Sequence, residues 1–333
     1  MLTPMALPVL ERVERTHVRR RQVRRRRATA LLVVVTLGAG AGWLVSPHGG
    51  DARPVKAAPR PAVREPEPIL AARPAPLLSG PPQLQSHRFT PPLTSRSAIL
   101  VDVQSGRVLY ELRTRVRRPI ASTTKIMTAL VALKRVSPAE LITVDRTVPR
   151  VPLVKEGLRS GERVRAWKLF YGMLLYSGND DALALAIAAA GSRPTFVSLM
   201  NDEARRLGLH HSHFASPSGV VDRDNYSTAW DLAALTRVAL RNERFRTIVA
   251  TKRRSVAWSP PTFAKVYVNK NLLLGSYRGA NGVKTGYTAK AGRCLVASAT
   301  RGGRTLVAVV LHARDPYADA RRLLNLGFRS MQS

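Results

Sequence analysis

The chain has 333 residues, enough for one large core or two modest ones. Its 54 Lys and Arg against 21 Asp and Glu give a formal charge of +33, which calls for an anionic partner: nucleic acid, an acidic membrane or an anionic wall polymer. A single cysteine, Cys294, excludes an internal disulfide and a cysteine-based zinc site; inside the apolar run "CLVASA" it reads as a small buried hydrophobe.

In chain order, Arg19 to Arg27 reads "RRRQVRRRR", and 18 uncharged residues, 28–45, follow it. That length is near the lower limit for crossing a bilayer, and the arginines would stay in the cytoplasm, which places everything after Val45 outside. The rival reading is a signal peptide cleaved at Ala39-x-Ala41 in "GAGAG". The long basic run ahead of the apolar stretch favours an uncleaved single-pass anchor in the cell membrane. Residues 46–95 hold 12 of the 23 prolines. Such a segment buries too little apolar surface to fold, and its proline stiffens it into a tether reaching up to roughly 150 Å at about 3.1 Å per residue. Residues 96–333 carry 39 Lys and Arg against 16 Asp and Glu, so the expected globular domain is itself basic, at +23.

Within that domain "SAILVDVQSGRVLYEL" predicts a hairpin turning at Ser105-Gly106. A helix is expected from Ser122, then two more over 166–175 and 180–190 joined by the turn "YSGN". Gly191 ends the last of these, and Ser192 with Pro194 opens another that stops at Gly208. "STAWDLAALTRVAL" is helical again, with a Ser-x-x-x-Asp start. After "WSPP" the period changes, and "KVYVN", "GVKTGY", "RCLVASAT" and "RTLVAVVLHA" read as strands, the last two joined at "RGGR". "YADARRLLNLGF" closes as a helix. Strands at both ends with helices between them predict an α+β fold: an antiparallel sheet completed by both ends of the domain, with a helical insertion.

Three short motifs sit on this map. Ser122-x-x-Lys125 opens a helix, Ser177-Gly178-Asn179 occupies a tight inter-helix turn, and Lys284-Thr285-Gly286 lies on a strand. The first is expected about once by chance in a chain this long, the last about a tenth of a time. Their order and placement carry the information, since each can point into a cleft between helices and sheet.

In that order the motifs resemble those of the penicillin-binding serine acyltransferases. The flanking stretches "PIASTTKIMTALVAL", "LLYSGNDDALALA", "FVSLMNDEARRLG", "YSTAWDLAALTRVAL" and "GVKTGYT" narrow the resemblance to the D-alanyl-D-alanine carboxypeptidases, over nearly all of 96–333. The fold it implies is β-lactamase/transpeptidase-like. The chain departs from the family's Asn-Pro-x-Gly-Leu at "SPSGV", Ser216 to Val220, and lacks its histidine at Tyr226 or Asn225; both departures are expected to touch a structural loop. Some relatives carry a second C-terminal sheet domain and an amphipathic anchoring helix, for which this sequence stops too early, in keeping with an anchor at the other end.

The resemblance implies a mechanism that the side chains also support. A serine hydroxyl needs a base, and with no Gly-x-Ser-x-Gly elbow or histidine partner the base is Lys125, three residues on along the helix. Burial, the helix N-terminus and the Lys284 cation would lower its pKa. Ser177 would relay a proton to the leaving D-alanine, Asn179 would orient Lys125 and the substrate amide, and the N–H groups of Ser122 and Tyr287 would form the oxyanion hole. Lys284 and Thr285 are expected to hold the substrate's terminal carboxylate, and Lys270, in "NKN", to add to that grip where relatives carry an arginine.

The implied substrate is the peptidoglycan stem peptide, β-lactams are the implied inhibitors, and no cofactor is called for. "HHSH", with His210, His211 and His213, lacks a helical pair or carboxylate motif and reads as a loop rather than a metal site. Nucleic acid is set aside because no aromatic residues interleave the arginine runs. A β-lactamase would need a further carboxylate to activate the deacylating water, and an inactive wall-binding protein would not need all three motifs. Carboxypeptidase, endopeptidase and transpeptidase activities share one acyl-enzyme, so sequence leaves the balance among them open.

Overall fold

The computed structural model describes residues 77–80, 92–220, 224–258 and 263–331. The expected anchor, 28–45, and most of the expected tether lie outside the described residues. Among them no single helix is long and apolar enough to cross a membrane.

The elements in chain order are β1 Ser97–Asp102, β2 Val108–Leu112, β3 Arg118–Pro119, a 3-10 turn Ala121–Thr124, α1 Lys125–Leu133, β4 Leu141–Thr143 and β5 Arg163–Arg165. Next come α2 Ala166–Tyr171, a π-helical turn Gly172–Tyr176, α3 Asn179–Ala190, α4 Arg193–Arg206, β6 Tyr226–Ser227, α5 Ala229–Ala239 and α6 Glu243–Ala250. Strands β7 Arg253–Val256, β8 Lys265–Val268, β9 Ala280–Thr288, β10 Gly292–Arg301 and β11 Arg304–Ala313 precede the last helix, α7 Pro316–Ser330.

The main sheet runs β2-β1-β11-β10-β9, so the first hairpin is completed by the last three strands, as the sequence predicts. Its pairs are antiparallel, with Ile99 opposite Val309, Ala297 opposite Ala308 and Leu295 opposite Thr285. One face packs with Ile99, Val296 and Val309 against the helical insertion, and the other packs with Leu100, Leu295 and Val310 against Leu323, Leu324 and Phe328 of α7. Apolar side chains are needed on both faces of β10 and β11, which is why these strands read as continuous apolar runs rather than as alternation.

Two polar anchors fix where the chain joins this sheet. Buried Asp319 on α7 accepts from the backbone N–H of Thr94 at 2.9 Å and of Ser95 at 2.8 Å. Arg237 on α5 donates to the carbonyls of Leu77, Val103 and Gln104 at 2.8, 2.6 and 2.9 Å, while Leu78 is buried. Residues 77–80 and 92–95, read from composition as part of the tether, therefore pack on the domain.

The structure corrects several boundaries. Helix α1 starts at Lys125, and Ser122 lies in the 3-10 turn before it without capping it. The helix expected over 166–175 is α-helical only to Tyr171. Thr228, not Ser227, caps α5, accepting from Asp231 N at 3.0 Å. Helix α6 and strands β3 to β7 were not predicted; α6 is only 8 residues long and half polar, which leaves little periodic signal.

Candidate active site

The turn that carries Ser122 combines a left-handed residue with close packing. Ala121, just ahead of Ser122, has φ 48°, a left-handed conformation unusual for a residue with a side chain. The β9 strand packs against this turn at Gly286. A Cβ on Gly286 would lie 3.0 Å from the Ile120 carbonyl and 3.1 Å from Ser122 N, so a side chain here would push the strand and the Ser122 turn apart by a few tenths of an ångström.

Lys125 is fully buried, and its Nζ lies 2.9 Å from Ser122 Oγ, 2.8 Å from Asn179 Oδ1 and 3.1 Å from the Ser218 carbonyl. The last two groups can only accept. A neutral amine has two N–H groups for them and one lone pair, which is then left facing the Ser122 hydroxyl. Burial holds the Lys125 pKa well below the ordinary lysine range, and the Lys284 and Lys270 cations lower it further, against an opposing pull from Asp181 and Asp180. The arrangement can therefore take the Ser122 proton.

Ser177 and Asn179 are presented by the π-helical turn that ends α2. Ser177 is left-handed, with φ 74°, and Asn179 begins α3. Asn179 is clamped by the loop before β5: its Nδ2 donates to Pro152 O at 3.0 Å, and its N–H donates to Val154 O at 2.9 Å. Asp180 pins the same loop by accepting from the N–H groups of Glu156, Gly157 and Leu158 at 2.8, 2.8 and 3.1 Å. Asp181 is different. Its carboxyl is buried against Gly172 and Gly178 without a hydrogen-bond partner among the described residues, and burial followed by the charges of Asp180 and Glu156 pushes its pKa well up.

On the sheet side Lys284 is buried, with Nζ 3.1 Å from the Thr285 carbonyl. Burial and then the Lys270 cation bring its pKa down to about 7. A cleft of ≈ 350 Å³ is lined by Ser122, Ser177, Lys270, Thr285, Gly286 and Tyr287, among others, and Tyr287 is 67% exposed at its mouth. Lys270 rests over the Tyr176 ring at 4.6 Å. Its neighbours Asn269 and Asn271 face inward and brace it: Asn269 donates to Val249 O and Thr251 O, and Asn271 donates to Gly282 O at 2.7 Å. All nine residues singled out from the sequence thus meet at one place.

Four contributors are not visible in the motifs. The "SPSGV" loop, expected to be structural, touches Lys125 directly: Ser218 offers its carbonyl to Lys125, and Pro217 O accepts from Thr128 Oγ1 at 2.6 Å. Glu156 is buried and paired with Lys265 of β8. Asp181 underlies the Ser177 turn, and Arg293 lines the cleft. Cys294 is buried as expected, and burial raises its thiol to about 11. His213 hydrogen-bonds the Asp224 carbonyl at 2.9 Å and stacks on Tyr226.

The sequence profile of D-alanyl-D-alanine carboxypeptidases, peptidase family S11, matches residues 85–315. The chain belongs to that family. It is 36% identical over 247 residues to a D-alanyl-D-alanine carboxypeptidase of Streptomyces strain K15, covering 67% of this chain and 84% of that one. It is 35% identical to the D-alanyl-D-alanine carboxypeptidase DacA of Escherichia coli K12, of which it spans 63%. The crystal structure of the Streptomyces K15 DD-transpeptidase superposes with a TM-score of 0.69 at 33% identity, covering 72% of this chain and 99% of that one. A D-alanyl-D-alanine carboxypeptidase structure from Mycobacterium tuberculosis gives 0.68 at 32% identity, covering 72% and 92%. The fold is that of the DD-peptidases.

Proposed function

We propose that this S11 serine peptidase removes the terminal D-alanine from peptidoglycan stem pentapeptides through an acyl-enzyme on Ser122. The observation that carries this reading is the Lys125 amine, buried and within 2.9 Å of Ser122 Oγ while two carbonyl acceptors occupy its N–H groups. Lys125 takes the hydroxyl proton as Ser122 Oγ bonds to the penultimate D-alanine's carbonyl carbon. The N–H groups of Ser122 and Tyr287 receive the oxyanion. The C–N bond then breaks, the proton passes by way of Ser177 to the departing amine, and Lys284 with Thr285 holds the departing residue's carboxylate. Water completes the cycle by hydrolysing the ester. A β-lactam enters the same first step, but its leaving amine stays tethered.

A second reading is a transpeptidase, in which an amine replaces water; it is favoured by the two names, carboxypeptidase and DD-transpeptidase, borne by the Streptomyces K15 relatives. Residues 28–45 fit a single-pass anchor that keeps the domain outside the cytoplasm, and the +23 balance of 96–333 fits retention on anionic wall polymers, which raised salt should reverse.

The test is a fluorescent penicillin together with a pentapeptide muropeptide. The wild-type protein should be labelled covalently and release one alanine, and folded Ser122→Ala should do neither. Labelling of folded Ser122→Ala would overturn the assignment, and cross-linked product in place of the tetrapeptide would favour the transpeptidase.

A further inference from the structure

Lys284, Thr285, Gly286 and Tyr287 follow one another along β9, and Gly286 is the one pressed against Ser122 N. The scissile carbonyl must sit at Ser122, so a bound peptide is divided there. On the function proposed above, the Lys284 and Thr285 side takes the terminal D-alanine. The residue before the D-alanine pair then lies toward Tyr287.

Arg293 stands at that end. It pairs with Tyr287 across the β9 and β10 ladder as Leu295 pairs with Thr285, and directly paired residues project from the same face about 5 Å apart. Arg293 lines the same cleft as Ser122 and Thr285. Its Nη1 donates to the Arg314 carbonyl at 2.8 Å, a bond that uses only one of the guanidinium's five donors. The charged residues lining the cleft among those described are Lys270 and Arg293, both cations, with Lys284 buried beside Thr285. Thr285 and Tyr287 are about 7 Å apart along the strand, so one terminal carboxylate cannot serve both ends.

We infer that Arg293 binds a second carboxylate, carried at the far end of the side chain that precedes the D-alanine pair, so that the cleft selects a stem peptide whose diamino acid has a free distal carboxyl. The guanidinium fork suits a carboxylate better than Lys270's point charge does. Sequence reasoning passes over this arginine because an exposed arginine on a strand usually marks only a solvated face.

The experiment uses two peptides ending in D-Ala-D-Ala. In one the preceding residue is diaminopimelate with its distal carboxyl free; in the other that carboxyl is an amide. Wild-type kcat/KM should favour the free acid by about tenfold, the value of one partly exposed charge-assisted bond. Arg293→Gln should bring the ratio close to one, and Arg293→Lys should leave an intermediate ratio. A wild-type ratio near one, or an unchanged ratio in Arg293→Gln, would overturn the inference while leaving the carboxypeptidase intact. If the wild-type protein releases alanine from neither peptide, the carboxypeptidase reading fails and takes this one with it.

Discussion

Two buried lysines, one at the start of α1 and one on β9, differ in what surrounds them. Lys125 is 0% exposed, with two carbonyl acceptors and the Ser122 hydroxyl around Nζ; Lys284 is 1% exposed, with the carbonyl of its neighbour Thr285 at 3.1 Å. Burial lowers both pKa values. Lys125 falls well below its ordinary range, in part because Lys284 is charged, whereas Lys284 descends to about 7. On the function proposed above, Lys125 is the base and Lys284 the anion receptor. Burial alone makes neither role; the groups placed around each amine separate them.

The difference can be broken from the Lys125 side first. Lys125→Ala should lower the rate of acylation by penicillin by about 10³-fold, within the usual range for a general base, in a stopped assay of label incorporation. An effect under tenfold would mean that another group takes the Ser122 proton. Lys284→Ala should lower kcat/KM for a D-Ala-D-Ala peptide by about 10²-fold, since a desolvated bond to a carboxylate is worth about 3 kcal/mol. Lys270→Ala should cost about tenfold, as expected for an exposed cation sharing the same carboxylate. Measured against the C-terminal amide, the Lys270→Ala loss should vanish; equal losses on acid and amide would show that Lys270 reads something else.

The smallest effect concerns Asp181, which sharpens the contrast by testing what lies beneath the Ser177 turn. Its folded pKa is raised well above the unfolded value of about 3.9. Between those two values the folded state holds a proton that the unfolded chain has released, so stability is lost as pH rises. Asp181→Asn removes that loss. Its melting temperature should exceed the wild-type value by about 2–4 °C at pH 8 if roughly 1 kcal/mol is recovered, with the gap closing toward pH 4. A gap that does not change with pH would mean that Asp181 does not titrate in this way.

Much of the site was legible because the chemistry is concentrated in side chains at fixed spacing: Ser122 and Lys125 on one turn, Ser177 and Asn179 around a glycine, and Lys284 to Tyr287 on a strand. The sheet was legible from β10 and β11, whose runs are too apolar for any exposed face. What escaped was carried by backbone or by context. Ser218 acts through a carbonyl, which every residue has. The π-helical turn at Gly172–Tyr176 continues an α-helical pattern without interruption. Asp181 looks like a favourable first-turn acid until its carboxyl is found buried between two glycines. Arg293 needs the register of β9 and β10 before it can be placed beside Tyr287.

The measurement that bears most directly on the two lysines is the pH dependence of kcat/KM for one D-Ala-D-Ala peptide and its C-terminal amide, because this quantity reports ionisations of the free enzyme. As pH falls, Lys125 takes up a proton and both substrates should lose rate together. As pH rises through about 7, Lys284 loses its charge, and the free acid should lose rate while the amide does not. An alkaline decline shared equally by acid and amide would contradict the assignment of Lys284 as the carboxylate receptor and, with it, the division of labour between the two lysines.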